Sequence, residues 1–188
     1  MKLKCIAIAS SLLLLTSCSS SLEDYKDTGP AFNLSQYFDG KVTAWGIVQD
    51  YSQMLSRRFC VDIVGTWEGN KGQLHETFYY NDGEQQIRIW ELTKGNDGMI
   101  SGSAGDVIGQ ASGSESGTAF NWKYTLRVPV DGTEYDLAVD DWMYKLDENR
   151  VMNRSYMSKF GVTVAEISIF FDKTAPIRGC QTTDQERN

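Results

Sequence analysis

The residue pattern predicts an all-β chain closed into an antiparallel up-and-down β-barrel of eight to ten strands. Runs of alternating apolar and polar residues recur along most of the chain. Turn signals separate them at short, regular intervals, above all Asn81-Asp82-Gly83-Glu84 and Asn96-Asp97-Gly98. No stretch after Ser21 keeps an apolar helical period through three turns. Short strands with such punctuation read as an antiparallel sheet. The sheet must hide its edges by closing or stacking, and consecutive hairpins favour closing.

The elements follow in order. From Phe38 to Gln49, Val42, Ala44, Gly46 and Val48 share one face, with Thr43, Trp45 and Ile47 on the other. After a turn near 51–56, Phe59, Val61, Ile63, Gly65 and Trp67 alternate again. Leu74, Glu76, Phe78 and Tyr80 define a third strand, and the Asp-Gly hairpin returns the chain through Gln86 to Thr93. Met99 to Gly117 mixes Gly102, Gly105, Gly109 and Gly113 with serines, a pattern fitting either weak strand with bulges or loop. Phe120, Trp122, Tyr124, Leu126 and Val128 restore a clear period of two. Tyr135 to Leu146, Val151 to Tyr156 and Val162 to Phe171 complete the set.

The first residues have a different character. Lys2 and Lys4 precede an apolar run rich in leucine, ending at Leu15-Thr16-Ser17-Cys18. This order is that of a secretory signal peptide, and the run is far short of the ~20 residues that span a bilayer. With a cysteine at the cleavage point, it resembles the lipobox of bacterial lipoproteins. That resemblance implies removal of 1–17 and acyl chains on Cys18. Two or more such chains anchor a protein stably. Ser19, rather than aspartate, after that cysteine implies sorting to the outer membrane, with the protein facing the periplasm. Residues 18–33, small and charged without apolar period, are expected to form the lipidated N-terminus and a flexible tether. The barrel domain is expected over 34–173 and a polar tail over 174–188.

The 188-residue chain carries a formal charge of −7. Loss of 1–17 would remove two lysines and no acid, making the rest more acidic still. That balance excludes nucleic acid, which needs clustered basic residues, and excludes docking on anionic lipid through a basic patch. Attachment to a membrane therefore falls to the acyl chains. Once Cys5 is removed and Cys18 acylated, Cys60 and Cys180 remain, as an oxidised pair or as two separate thiols. No cofactor and no metal site is expected: two cysteines and one histidine make no metal signature.

Trp45, Trp67, Trp90, Trp122 and Trp142 lie on five different strands. They could line a cavity for an apolar ligand or fill the core solidly. Arg58, Arg88 and Arg154 are strand-centred cations able to grip a carboxylate or phosphate with a planar fork, or to pair outside the barrel. Arg154, flanked by Met152 and Tyr156, is the preferred one. His75 has no nucleophile motif around it, and no catalytic residue is assigned. Asp140 and Asp141 are adjacent on a strand and so face opposite ways.

Several strings carry a family resemblance. They include Tyr37-Phe38-Asp39-Gly40, Gly65-Thr66-Trp67, Asp82-Gly83-Glu84, Ser103 to Gly109, Asp140-Asp141-Trp142-Met143-Tyr144 and Asn153-Arg154. Together they resemble the lipoprotein family labelled domain of unknown function 3833, over Tyr37 to Phe171. The resemblance implies a bacterial envelope lipoprotein and carries no activity with it. Gly65-Thr66-Trp67 also resembles the Gly-x-Trp of lipocalins, which implies a calycin barrel binding a hydrophobic small molecule or lipid. Two alternatives stand beside that expectation. One is a structural lipoprotein docking an envelope partner. The other is a calycin-type enzyme acting on a lipid, in which residues such as Arg154 and Asp141 would converge in one pocket.

Overall fold

Ten strands follow one another through the computed structural model, which describes residues 20–130, 132–175 and Cys180. They are β1 (Gly40–Asp50), β2 (Leu55–Glu68), β3 (Lys71–Tyr80), β4 (Gln85–Lys94) and β5 (Ile100–Ser103), then β6 (Val107–Ser116), β7 (Ala119–Val130), β8 (Thr133–Lys145), β9 (Arg150–Lys159) and β10 (Val162–Asp172). Each pairs antiparallel with its chain neighbours, and β1 pairs with β10, so the barrel is closed and up-and-down. This is the predicted fold class, at the upper end of the expected strand count.

Period-two patterning decides which side chains face inward. On β1, Val42 and Ala44 are buried while Trp45 and Ile47 are exposed. On β7, Phe120, Trp122 and Leu126 are buried and Arg127 is not. The glycine-rich stretch forms β5 and β6, with a register break against β7 between Ile108 and Ser112. Gly109 takes φ +73 there, as expected of a bulge. Because β5 is so short, its ladder with β4 runs only over Glu91–Lys94. The barrel wall is thus thin beside the first half of β4.

One end of the barrel is plugged. Helical turn α1 (Leu34–Tyr37) starts at Asn33, whose side chain accepts a hydrogen bond from the Gln36 amide at 3.0 Å. Phe32, Leu34, Tyr37 and Phe38 are at most 5 % exposed, each worth roughly 1.5–3 kcal/mol of burial. Phe32 stacks on Phe120 and Phe38 meets Phe171 edge-on. The Leu34 amide donates to Glu115 at 2.6 Å, and Lys173 donates to the Tyr37 and Asp39 carbonyls. The Phe38 carbonyl comes so near Gly65 that a Cβ there would sit 1.6 Å from it.

The expected flexible tether is not what the structure shows over 20–33. A short 3-10 turn (Leu22–Tyr25) brings the Tyr25 ring within 5.9 Å of Trp142 and 5.7 Å of Tyr144. The Thr118 amide donates to Thr28 Oγ1, and the Phe32 amide to the Gly117 carbonyl. Gly117, at φ +49, leaves room for the Tyr25 carbonyl, which a Cβ would meet at 1.7 Å. Two widely spaced aromatics, Tyr25 and Phe32, together with these hydrogen bonds, lay this segment on the barrel although it has no apolar period. The expected signal peptide over 1–17, Cys18 and most of the expected polar tail lie outside the described residues.

Candidate functional site

Inside the barrel lies a cavity of about 480 Å³, within the ~300–1,000 Å³ common for small-molecule sites. Its floor is the plug, through Leu34 and Phe38, together with Phe120 and Phe171. Its walls are largely apolar: Val61, Ile63 and Leu74 on one side, Leu126, Met157 and Ile167 on the other. It opens at the opposite end, among Arg57, Glu84, Arg127 and Pro129 next to the β1–β2, β3–β4 and β7–β8 turns.

A belt of polar groups crosses this apolar interior. Arg88 on β4 is the in-register partner of Glu76 on β3. Its guanidinium binds Asp106 with both Nε and Nη2, at 2.9 and 2.6 Å, and stands 3.8 Å from Glu76. The Asp106 carbonyl accepts from the Arg127 amide. Asp106 therefore staples β7 to β4 across the thin part of the wall. On the far side, Asp141 accepts from Asn153 and from Ser155 at 3.0 Å, with the Tyr124 hydroxyl at 3.4 Å. Asn153 also donates to the Trp142 carbonyl. At the mouth, Arg57 lies 3.6 Å over the Tyr80 ring and pairs with Asp82 and Glu84. Arg127 pairs there with Asp136 and Glu134.

Burial shapes the protonation of this belt. The Glu76 carboxyl is pushed up to about 7 by burial, reinforced by Asp106 and Asp141 and opposed by Arg88 and a hydrogen bond from Trp90. Asp141 is pushed up to about 6, again by burial, against its hydrogen bonds from Asn153, Ser155 and Tyr124 and the pull of Arg88. The Tyr124 hydroxyl is raised well above its usual value by burial, so it stays a donor.

Both acids bind protons more tightly folded than unfolded, where values near 4.5 and 3.8 apply. Their contribution to stability is therefore complete below about pH 4 and is lost as pH rises through 6 and 7. For Glu76 the span corresponds to about 3 kcal/mol. The stability of the wild type relative to Glu76→Gln is expected to fall by that amount between acidic and mildly alkaline pH. Urea unfolding of both proteins measures it, and a flat difference would contradict it.

The eight residues singled out as a candidate pocket divide. Trp90, Trp122 and Arg88 line the cavity, with the two indoles 5.7 Å apart. Trp67 faces inward but packs at the closed end, its ring against the Gly72 backbone. Trp45 stands on the outer wall, 37 % exposed. Trp142 is buried from outside, beneath Tyr25. Arg58 borders an exterior groove with Trp45 and Cys180. Arg154, the preferred cation, pairs with Glu166 at 2.7 Å on the outer surface. Since Asp141 faces inward, Arg154 and Asp141 do not converge, which removes the pair on which the enzyme alternative was framed. Cys60 and Cys180 are joined by a disulfide on the outer wall.

Glu76, Asp106, Asn153 and Ser155 join the site without having been singled out. Parity was the available signal. Glu76 alternates with Leu74 and Phe78, and Asn153 and Ser155 alternate with Val151 and Met157.

Among solved structures, the S-type phycobiliprotein lyase CPES from Guillardia theta is similar with a TM-score of 0.53 at 8 % identity, covering 76 % of this chain and 92 % of its own. That likeness is one of fold. Lobster apocrustacyanin A1 is similar at a TM-score of 0.39 and 13 % identity, covering 82 % of this chain and 69 % of its own. No curated protein sequence matches. The model of a family described as "Protein of unknown function (DUF3833)" matches residues 12–173, and the chain belongs to that family.

Proposed function

We propose that the protein is an outer-membrane-anchored periplasmic lipoprotein that carries a hydrophobic small molecule or lipid inside its barrel. The observation that carries this is the cavity: plugged at one end, open at the other, apolar along its walls. A closed barrel leaves its interior as the place where a ligand escapes water, and burial of apolar ligand surface supplies the affinity. The lipobox-like Leu15-Thr16-Ser17-Cys18 supports the anchor.

Native mass spectrometry of the full-length protein extracted from its host tests both halves. The expected spectrum shows acyl mass on Cys18 and a second, non-covalent mass that leaves on collisional activation. A bare Cys18 would remove the anchor, and a barrel that is always empty would remove the carrier.

A specific feature also favours a second reading, docking to an envelope partner. Trp45 and Ile47 on β1 and Met152 on β9 are exposed, and Phe170 on the intervening β10 is the register partner of both Trp45 and Met152, which makes an apolar strip on the outer wall. Crosslinking in cells from position 47 would capture one stoichiometric protein if that reading holds.

A further inference from the structure

Resting on the carrier reading, we propose that the cavity selects an apolar ligand whose polar end donates hydrogen bonds and bears no negative charge. An amine, amide or alcohol fits; a fatty acid or other anionic amphiphile does not.

The argument is an inventory of charge. Every arginine lining the cavity is already engaged by carboxylates of this chain. Arg88 is held bidentately by Asp106. Arg57 is held by Asp82 and Glu84, and Arg127 by Asp136 and Glu134. A ligand carboxylate would have to displace one of these pairs before gaining a cation. Displacing the Asp106 pair would also release the staple between β4 and β7.

The acids of the belt are in the opposite position. Asp141 is held by neutral donors alone among its hydrogen-bond partners: Asn153, Ser155 and Tyr124. The Glu76 carboxyl has the Trp90 indole as one donor, yet its Oε2 is buried and accepts no hydrogen bond among the described residues. Its nearest cation, Arg88 Nη1, is 3.8 Å away, beyond hydrogen-bonding distance. A buried acceptor left unsatisfied is costly, and a ligand donor entering beside Glu76 recovers that cost. An anionic head in the same place would add a further negative charge where water screens little. The apolar part of the ligand would then lie along the walls, against Trp90 and Trp122.

The test uses the full chain and three amphiphiles of one chain length: dodecylamine, dodecanol and dodecanoate. Each competes at pH 8, where both Glu76 and Asp141 are largely ionised, against a neutral naphthylamine dye bound in the cavity. The amine and the alcohol are expected to displace the dye at concentrations about tenfold below dodecanoate or lower, a difference of about 1.4 kcal/mol. Glu76→Gln and Asp141→Asn keep shape and remove charge, so each is expected to narrow the amine-to-dodecanoate ratio. If Asp141→Asn fails to fold, Glu76→Gln decides alone.

Dodecanoate binding as tightly as the amine would overturn the selectivity and leave the carrier reading standing. A ratio unchanged in every folded variant would overturn the assignment to these acids. Failure of the dye and all three amphiphiles to bind would overturn both.

Discussion

Arg88→Met is expected to cost 3–5 kcal/mol at neutral pH, the usual penalty for breaking a buried ion pair from one side. The side chain is 17 % exposed, and Asp106 and Glu76 beside it are 22 % and 13 % exposed. Removing the cation leaves those carboxylates facing each other with little water to screen them. Glu76, already raised by burial, then loses the cation that opposes that rise, so the loss is expected to shrink as pH falls and its carboxyl becomes neutral. The consequence is also architectural. The β4–β5 ladder covers only Glu91–Lys94, and the Arg88–Asp106 pair ties the first half of β4 to the neighbouring wall. Replacing both members of the tight pair removes the repulsion between the two acids and leaves Glu76 as the one carboxyl without its cation, so Arg88→Met combined with Asp106→Leu is expected to recover part of the stability. Denaturant unfolding of the two single variants and the double variant yields the coupling directly. A single variant as stable as the wild type would mean that the pair contributes nothing.

The inner and outer faces of the barrel differ in how legible they were. On β1 and β7, apolar residues occupy alternate positions, and parity placed Val42, Ala44, Phe120 and Trp122 inside. On β2, the parity that puts Phe59 and Val61 inside also puts Arg57 inside and Arg58 outside. A strand-centred position therefore said nothing useful about Arg58. On β9 parity is double-edged, because Val151 and Met157 mark one face and Met152 and Tyr156 the other. Met152 and Tyr156 make the Arg154 face look like the core face, while the true inner face carries Asn153 and Ser155. A polar interior inverts the usual contrast, because those two polar groups are satisfied by Asp141 rather than by water. Trp142 fails for another reason. Its cover is Tyr25, from a segment whose composition resembles disorder, and a single aromatic contact leaves no periodic trace. Arg88 alone of the three candidate arginines satisfied parity, and it is the one in the cavity.

Gly65→Ala is expected to cost about 3 kcal/mol, the upper range for overpacking a tight core. The added methyl would lie 1.6 Å from the Phe38 carbonyl oxygen and 3.0 Å from a Leu74 methyl. A flexible side chain could swing away, but this obstacle is backbone. Phe38 is 2 % exposed, wedged against Tyr37 and Phe171, and followed directly by Asp39, whose carbonyl Lys173 binds. Relief requires moving the plug as a unit, and the plug is the cavity floor. The substitution should therefore weaken binding of an apolar dye as well as stability. Gly105→Ala is the matching control: a Cβ there meets nothing within 4 Å, so its effect is expected to stay within about 0.5 kcal/mol. The ring of Phe38 separates a backbone clash from a side-chain one. If the carbonyl is the obstacle, Phe38→Ala cannot rescue Gly65→Ala, and the double variant is expected to be less stable than either single one. A double variant more stable than Gly65→Ala would show that the ring, not the carbonyl, holds the plug against β2.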